Sequence, residues 1–152
     1  MHDEELKQAL LKMLQAELAA MHYYQHASQF LKDNGAIYHF NVLAQEELEH
    51  ARTFYSVYPD EDIASFDELS QSLSTKDALL NTVDPQLLGR LNERTALKLA
   101  MKMEEEVARS LQRMLNDVSS PAARTVIKEN IDSTLGHLEV IKEDYQRIFA
   151  EE

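Results

Sequence analysis

The second half of the chain repeats the first half at an offset of 87 residues. Glu17 corresponds to Glu104 and His50 corresponds to His137, so the Glu and the His of each copy are 33 residues apart. The apolar neighbours correspond as well, in the pairs Ala9/Ala96, Leu10/Leu97, Phe40/Ile127, Phe54/Ile141 and Tyr58/Tyr145. This repeat discriminates between folds more sharply than any other feature, because two copies of one helical hairpin would build a nearly symmetric site.

Caps and periodicity predict four long helices, over about residues 3–32, 36–57, 92–118 and 121–149. Only three Gly and three Pro occur among the 152 residues, so long regular elements are expected. We expect Gly35 to provide the left-handed cap after the first helix and Ser120-Pro121 to open the fourth.

The connections between these helices differ in length. A few residues join the first helix to the second and the third to the fourth, so each pair is expected to form an antiparallel hairpin. More than thirty residues separate Tyr58 from Leu91, and they are expected to carry one or two short helices, with Asp84-Pro85 as a start. The prediction is an all-α antiparallel four-helix bundle with a long connection between helices two and three, as one domain over residues 1–152.

The formal net charge of −12 and the absence of Cys exclude several classes of function. Nucleic-acid binding needs clustered Lys and Arg, so no nucleic-acid partner is expected. Without Cys, the chain can form no disulfide, thiolate metal site or iron–sulfur cluster. The N-terminal segment has no apolar signal core and no run reaches the length of a membrane span, so a cytoplasmic protein without membrane contact is expected.

A carboxylate lies near the middle of an otherwise apolar stripe on three of the helices. Steps of three and four residues trace the stripes Leu6, Leu10, Met13, Glu17, Ala20, Tyr24, Ala27 and Leu31; Phe40, Leu43, Glu47, His50, Phe54 and Val57; and Leu97, Ala100, Glu104, Val107, Leu111, Met114 and Val118. An unpaired buried charge loses several kcal/mol of hydration, so three at comparable depth need a shared partner. A bound cation is the simplest one, because oxygen ligands suit hard metals and imidazole suits iron, manganese or zinc.

Glu47 and His50 are three residues apart on the second helix, so their side chains project from one face. This Glu-x-x-His spacing lets both groups reach one metal ion, and it is the pattern of di-iron four-helix bundles. Alone the spacing is weak evidence, since it occurs by chance in acidic helices. Opposite Glu17 and Glu104, it predicts a metal site in the core of the bundle.

These residues resemble the ferritin-like superfamily and, within it, the rubrerythrin-like di-iron domains. The resemblance covers nearly the whole chain and rests on Glu17, the Glu47–His50 pair in QEELEHARTF, Glu104 in ALKLAMKMEEEV, and His137. It implies a ferritin-like bundle in which these five residues are metal ligands. The cofactor it implies is two iron ions, with one ion, manganese or zinc as alternatives.

The chain departs from the family pattern at Thr134, where the repeat partner of Glu47 should stand. The corresponding Glu of the family bridges the two metals, so its loss removes one negative charge and one bridge. Two ions bridged by Glu47, one ion bound tightly with a second bound weakly, and a degenerate site all stay open. The Cys-rich rubredoxin module of full-length rubrerythrins is absent from the sequence, so a redox cycle would need an external electron donor.

The resemblance implies a non-haem di-iron protein of rubrerythrin type, a homodimer that reduces peroxide or activates dioxygen. One alternative is a metal-binding protein without turnover, for iron storage or sensing. Another is a structural bundle whose site has decayed, so whether the chain is an enzyme stays open.

Other polar residues have structural interpretations. His22 and His26 are an i, i+4 pair without a third ligand, and we expect them at the surface or behind the ligands. Tyr24 is expected to be a core aromatic with a hydrogen-bonded hydroxyl, the alternative being a donor to a ligating carboxylate. His39 is assigned no role.

Overall fold

The computed structural model describes residues 3–73 and 85–150. Within these ranges the chain forms helices and no strands, which confirms the all-α class. The helices are α1 (Asp3–Ala27), α2 (Asn34–Ser56), α3 (Phe66–Leu73), α4 (Pro85–Leu88), α5 (Glu93–Asp117) and α6 (Pro121–Phe149). None of the helices in these two ranges combines the length and the apolar character needed to cross a membrane.

The four long helices form the ferritin-like bundle that the sequence predicts. Helix α1 packs along α2, and α5 packs along α6, so each half of the repeat is a helical hairpin. The hairpins meet where α2 packs on α6 and α1 packs on α5, while α3 lies against α1. The middle of the bundle is therefore enclosed by one helix face from each of four helices.

Side-chain caps fix the starts of three long helices. Asp33 accepts a hydrogen bond from Ala36 N at the start of α2 (2.9 Å). Asn92 and Thr95 form a reciprocal capping box at the start of α5, with both bonds 2.9 Å long. Ser120 caps α6 immediately before its first-turn proline. Each such cap stabilises its helix by about 1 kcal/mol.

The prediction that the first helix continues to Lys32 and ends in a left-handed Gly35 is wrong. Helix α1 ends at Ala27, a 3₁₀ turn follows over Ser28–Phe30, and Gly35 lies in the first turn of α2 without a positive φ. The N-cap at Asp33 draws Gly35 into α2. The absence of a side chain matters for packing instead, because a Cβ there would lie 2.9 Å from Arg147 Nη2.

The repeat seen in the sequence is also a repeat of burial. Six side chains in three corresponding pairs are each at most 1% exposed: Leu10/Leu97, Phe40/Ile127 and Phe54/Ile141. They surround the carboxylate-bearing middle of the bundle and bury a large apolar area. Each Å² of apolar surface removed from water stabilises the fold by roughly 25 cal/mol. Tyr23 adds a polar link between the hairpins, since its hydroxyl donates to Ala96 O (2.7 Å).

Part of the long connection folds back onto the first hairpin. Lys7 Nζ contacts Asp60 Oδ2 (2.8 Å) and Asp62 Oδ2 (3.0 Å), which ties the segment after α2 to α1. Helix α4 begins at Pro85. The predicted start at Asp84 lies outside the described residues.

Candidate metal centre

The structure brings together all five side chains that the sequence singles out. They come from all four long helices: Glu17 from α1, Glu47 and His50 from α2, Glu104 from α5 and His137 from α6. The three carboxylates are 1–3% exposed, and the two histidines are 8% and 5% exposed. Their convergence follows from the helix periodicity, which places each residue on the face that its helix turns toward the core.

Glu47 lies at the centre of this cluster, with one carboxylate oxygen toward each histidine. Its Oε1 is 3.1 Å from His137 Nδ1, and its Oε2 is 3.4 Å from His50 Nδ1. Glu17 Oε2 lies 3.5 Å from His50 Nδ1, and Glu104 Oε1 lies 3.7 Å from His137 Nδ1. The cluster thus consists of a His50 half-site (Glu17, His50, Glu47) and a His137 half-site (Glu104, His137, Glu47).

The two imidazoles are arranged so that their Nδ1 atoms face the carboxylates. The rings stack with centroids 5.2 Å apart and planes 10° apart. Their Nε2 atoms face the opposite way: His50 Nε2 lies 2.9 Å from Ser133 Oγ, and His137 Nε2 makes a short contact with Glu46 Oε2. Glu47, His50 and His137 each offer one ligand atom within 4.8 Å of the others.

Several buried polar atoms of the cluster lack a hydrogen-bond partner among the described residues. They are both carboxylate oxygens of Glu17, Nδ1 of His50 and the hydroxyl oxygen of Thr134. Buried polar atoms in native proteins are normally hydrogen-bonded, and a cation bound between these atoms would satisfy the carboxylate oxygens and the imidazole nitrogen together. Oxygen and imidazole donors together suit iron, manganese or zinc, and the residues present therefore fit a metal ion.

The electrostatics of the cluster separate the pKa values of its members. Burial alone would raise the pKa of Glu47, but His137 and His50 outweigh it and lower the pKa to about 2. Burial and the charge of Glu47 raise the pKa of Glu104 to about 7. Burial opposes the charged form of His137, yet Glu104 and Glu47 raise its pKa to about 10. At neutral pH the cluster therefore carries a proton on His137, which a metal ion would have to displace.

Tyr24 supports the cluster from behind Glu104. Its hydroxyl donates to Glu104 Oε1 (2.5 Å), and its ring meets Phe40 edge-on at a centroid distance of 5.0 Å. The side chain is 0% exposed, and burial together with Glu104 raises the pKa of Tyr24 well above its usual value. Tyr24 is thus a buried aromatic with a hydrogen-bonded hydroxyl, as expected, and its acceptor is the carboxylate that the alternative interpretation requires; the role of Glu104 as a ligand stays a prediction.

Thr134 is on the cluster-facing side of α6, one turn before His137. It is 1% exposed. Asn130, one turn further toward the start of α6, is also buried, and its amide donates to Thr53 Oγ1 (3.1 Å) and Val126 O (2.8 Å). Helix α6 thus presents the neutral Thr134 where a carboxylate was expected, and the Asn130 amide is taken up by partners outside the cluster.

The other three histidines within residues 3–73 and 85–150 lie apart from the cluster. His26 Nε2 is 3.0 Å from Leu88 O, and burial lowers the pKa of His22. His39, to which the sequence assigns no role, places Nδ1 2.6 Å from Asp144 Oδ2, and Arg147 contacts the other oxygen of that aspartate (2.8 Å).

Sequence reasoning missed Glu46 and Ser133, which contact the outer nitrogens of the histidines. Glu46 is one position off the apolar stripe and its side chain is 49% exposed, so periodicity marks it as a surface residue.

A cavity of about 360 Å³ between α2 and α6 is lined by His39, Glu46, Ser133 and His137 among others. A second cavity, of about 160 Å³, lies between α1 and α5 and is mostly apolar.

The Rubrerythrin family model matches residues 8–145 of the chain. The match includes both hairpins and every residue of the cluster. Comparison with curated proteins and with solved structures gives no match.

Proposed function

Because the chain belongs to the rubrerythrin family, a ferritin-like di-iron family, we propose that it is a non-haem di-iron protein that reduces peroxide or activates dioxygen at the buried cluster. The proposed metal ligands are Glu17, Glu47, His50, Glu104 and His137. The oxidant is a small molecule, and the electron donor is external, since the chain has no Cys to carry a rubredoxin-type iron site.

The position of Glu47 carries this proposal. Its two oxygens face two different imidazoles, each of which has a second carboxylate beside it. This arrangement supports Glu47 as the ligand shared by two ions, with Glu17 and Glu104 as terminal ligands. Each ion would then receive one nitrogen and two carboxylate groups, which is one bridging carboxylate fewer than in bundles that carry Glu-x-x-His on two helices.

The protein groups around the cluster position the ligands and exclude water. Iron held by these five residues would supply the electrons that reduce the oxidant. Tyr24 holds the orientation of Glu104 through its hydroxyl. The apolar side chains around the cluster are fully buried: Phe40, Phe54 and their repeat partners Ile127 and Ile141. An apolar environment strengthens the electrostatic interactions between charged groups inside it. Thr134 has no partner for its hydroxyl in the described ranges, so the hydroxyl is available to hydrogen-bond to a small oxidant.

Two observations favour a role without turnover. Thr134 removes the carboxylate that would complete a second bridge, and the contact of Glu47 with His137 compensates charge inside the cluster. Both features suit a site that binds a single ion for storage or sensing, or a bundle whose site has decayed. Assembly separates these roles: a homodimer supports the enzyme, whereas a cage supports storage.

The test compares oxidants on the protein loaded anaerobically with ferrous iron. We expect hydrogen peroxide or dioxygen to oxidise the bound iron, and an artificial electron donor to sustain repeated turnover. Glu47→Gln should lose this turnover, whereas Glu106→Gln, an acidic residue of α5 outside the cluster, should retain it. Oxidation in a single turnover that no donor can repeat would contradict the enzymatic role and leave the binding role. Light scattering of the same sample gives the oligomeric state.

A further inference from the structure

The outer nitrogens of the two cluster imidazoles meet different kinds of acceptor. His50 Nε2 lies 2.9 Å from the hydroxyl oxygen of Ser133, a neutral group. His137 Nε2 lies against Oε2 of Glu46, a carboxylate. Ser133 Oγ is also 3.4 Å from His137 Nε2, a longer contact than the one to Glu46. The two half-sites, nearly symmetric on the inside, therefore differ on the outside.

The chemistry of the contact fixes which nitrogen of His137 keeps its proton when a metal binds. An ionised carboxylate only accepts hydrogen bonds, so the contact requires that Nε2–H donates to Glu46. In the metal-free protein Nδ1–H donates to Glu47 in the same way (3.1 Å), and a metal ion that displaced this proton would meet the lone pair of Nδ1. This lone pair faces Glu47 and Glu104, which is the direction in which a metal ligand must point.

We propose that Glu46 is a positioning residue that orients His137 and increases its basicity as a ligand, a role that rests on the proposed metal site. A carboxylate behind a ligating histidine holds the ring and raises its affinity for the ion. Here Glu46 also brings a negative charge beside His137, in a cluster that has Thr134 in place of a carboxylate on α6. Of the two imidazoles, His137 has a carboxylate behind it, whereas His50 has the neutral hydroxyl of Ser133.

Glu46 contacts His137 from the solvent-exposed side of the cluster. Its side chain is 49% exposed and lines the cavity of about 360 Å³ between α2 and α6. The carboxylate therefore reaches inward to His137 from the wall of a solvent-connected cavity. Its replacement should leave the packed core intact, since about half of its side chain is exposed to solvent.

The test is a titration of the full-length protein, stripped of metal, with Co²⁺ as the probe. The variants are Glu46→Gln, which keeps an acceptor oxygen but loses the charge, and Glu46→Ala, which loses both. Glu49→Gln is the matched control, because Glu49 is on the same helix, is 65% exposed and pairs with Arg52 rather than with the cluster. Circular dichroism of each metal-stripped variant checks the fold.

We expect Glu46→Gln to weaken one Co²⁺-binding step by about tenfold and Glu46→Ala to weaken it further, with Glu49→Gln unchanged. In the Zn²⁺-loaded protein, the Nε2–H proton resonance of His137 should move upfield in Glu46→Ala, because its charged acceptor is gone. Equal Co²⁺ affinities in all variants and an unmoved resonance would overturn the role of Glu46 while leaving the metal site intact. Failure of the unmodified protein to bind Co²⁺ or Zn²⁺ would instead overturn the proposed function, and this inference with it.

Discussion

Thr134 occupies on α6 the position that Glu47 occupies on α2, and its buried hydroxyl has no hydrogen-bond partner in the two ranges that the structure describes. The two residues are equivalent in the repeat but differ by one negative charge. Glu47 contacts both imidazoles, whereas Thr134 contacts neither through a hydrogen bond. The cluster is thus a symmetric pair of half-sites joined by a single central carboxylate.

Thr134→Glu should restore the missing charge. We expect the second of the two ions to bind more tightly, and the melting temperature of the metal-stripped protein to fall, because a further buried carboxylate lacks compensation. Leu135→Glu is the matched control, since Leu135 is the next residue of α6 and is 43% exposed. Co²⁺ titration measures the first effect and thermal melting the second. A folded Thr134→Glu protein with unchanged affinity for the second ion would contradict the assignment of this position to the metal site.

Glu17 and Glu47 should differ in how much binding their loss removes. Of the two cluster histidines, Glu17 contacts His50 and not His137, so Glu17→Gln should abolish the His50 half-site and leave one ion bound. Glu47 contacts both histidines, so Glu47→Gln should impair both binding steps. Isothermal titration with Co²⁺ resolves the steps. Identical losses in the two variants would mean that Glu47 is not shared between half-sites.

Metal affinity should rise with pH between about pH 6 and pH 8. The raised pKa of His137, about 10, and of Glu104, about 7, mean that both groups hold protons which a metal must displace. Raising the pH removes part of this competition, so binding tightens, and lowering the pH weakens it. Calorimetry in buffers of different ionisation enthalpy counts the released protons. Binding without proton release at pH 7 would contradict the protonated state of the cluster.

Tyr24→Phe should weaken metal binding, whereas Tyr23→Phe should not. Both substitutions remove one buried hydrogen bond, from Glu104 in the first case and from Ala96 O in the second. Tyr24→Phe loses a bond to a carboxylate and should lower the free energy of unfolding by about 1–3 kcal/mol. Tyr23→Phe loses a bond to a carbonyl and should lower it by about 1 kcal/mol. Denaturant unfolding gives the stability loss, and Co²⁺ titration gives the affinity. Equal affinities in the two variants would show that Tyr24 only packs.

The sequence was sufficient for the parts of the structure that depend on periodicity. The 87-residue repeat and the interrupted stripes predicted the bundle, and the structure places Glu17, Glu47 and Glu104 on its inner face. Their role as ligands stays a prediction. The family was identified from the same residues and is confirmed by the match over residues 8–145.

Two features were not predicted, for different reasons. Gly35 reads as a helix terminator by its residue type, but the local N-cap at Asp33 starts α2 before it and so places it inside that helix. Glu46 reads as a surface residue by its phase, and only the packing of α6 against α2 brings His137 to it. The contact of Glu46 with His137 leaves no periodic signal in the sequence, because it joins residues distant along the chain.

The most direct test of the account is the number of iron ions bound per chain after anaerobic addition of ferrous iron and removal of excess metal. The shared position of Glu47 predicts about two ions per chain in the unmodified protein, and a marked loss in Glu47→Gln. No bound iron in the unmodified protein would contradict the di-iron site and leave a structural bundle in its place.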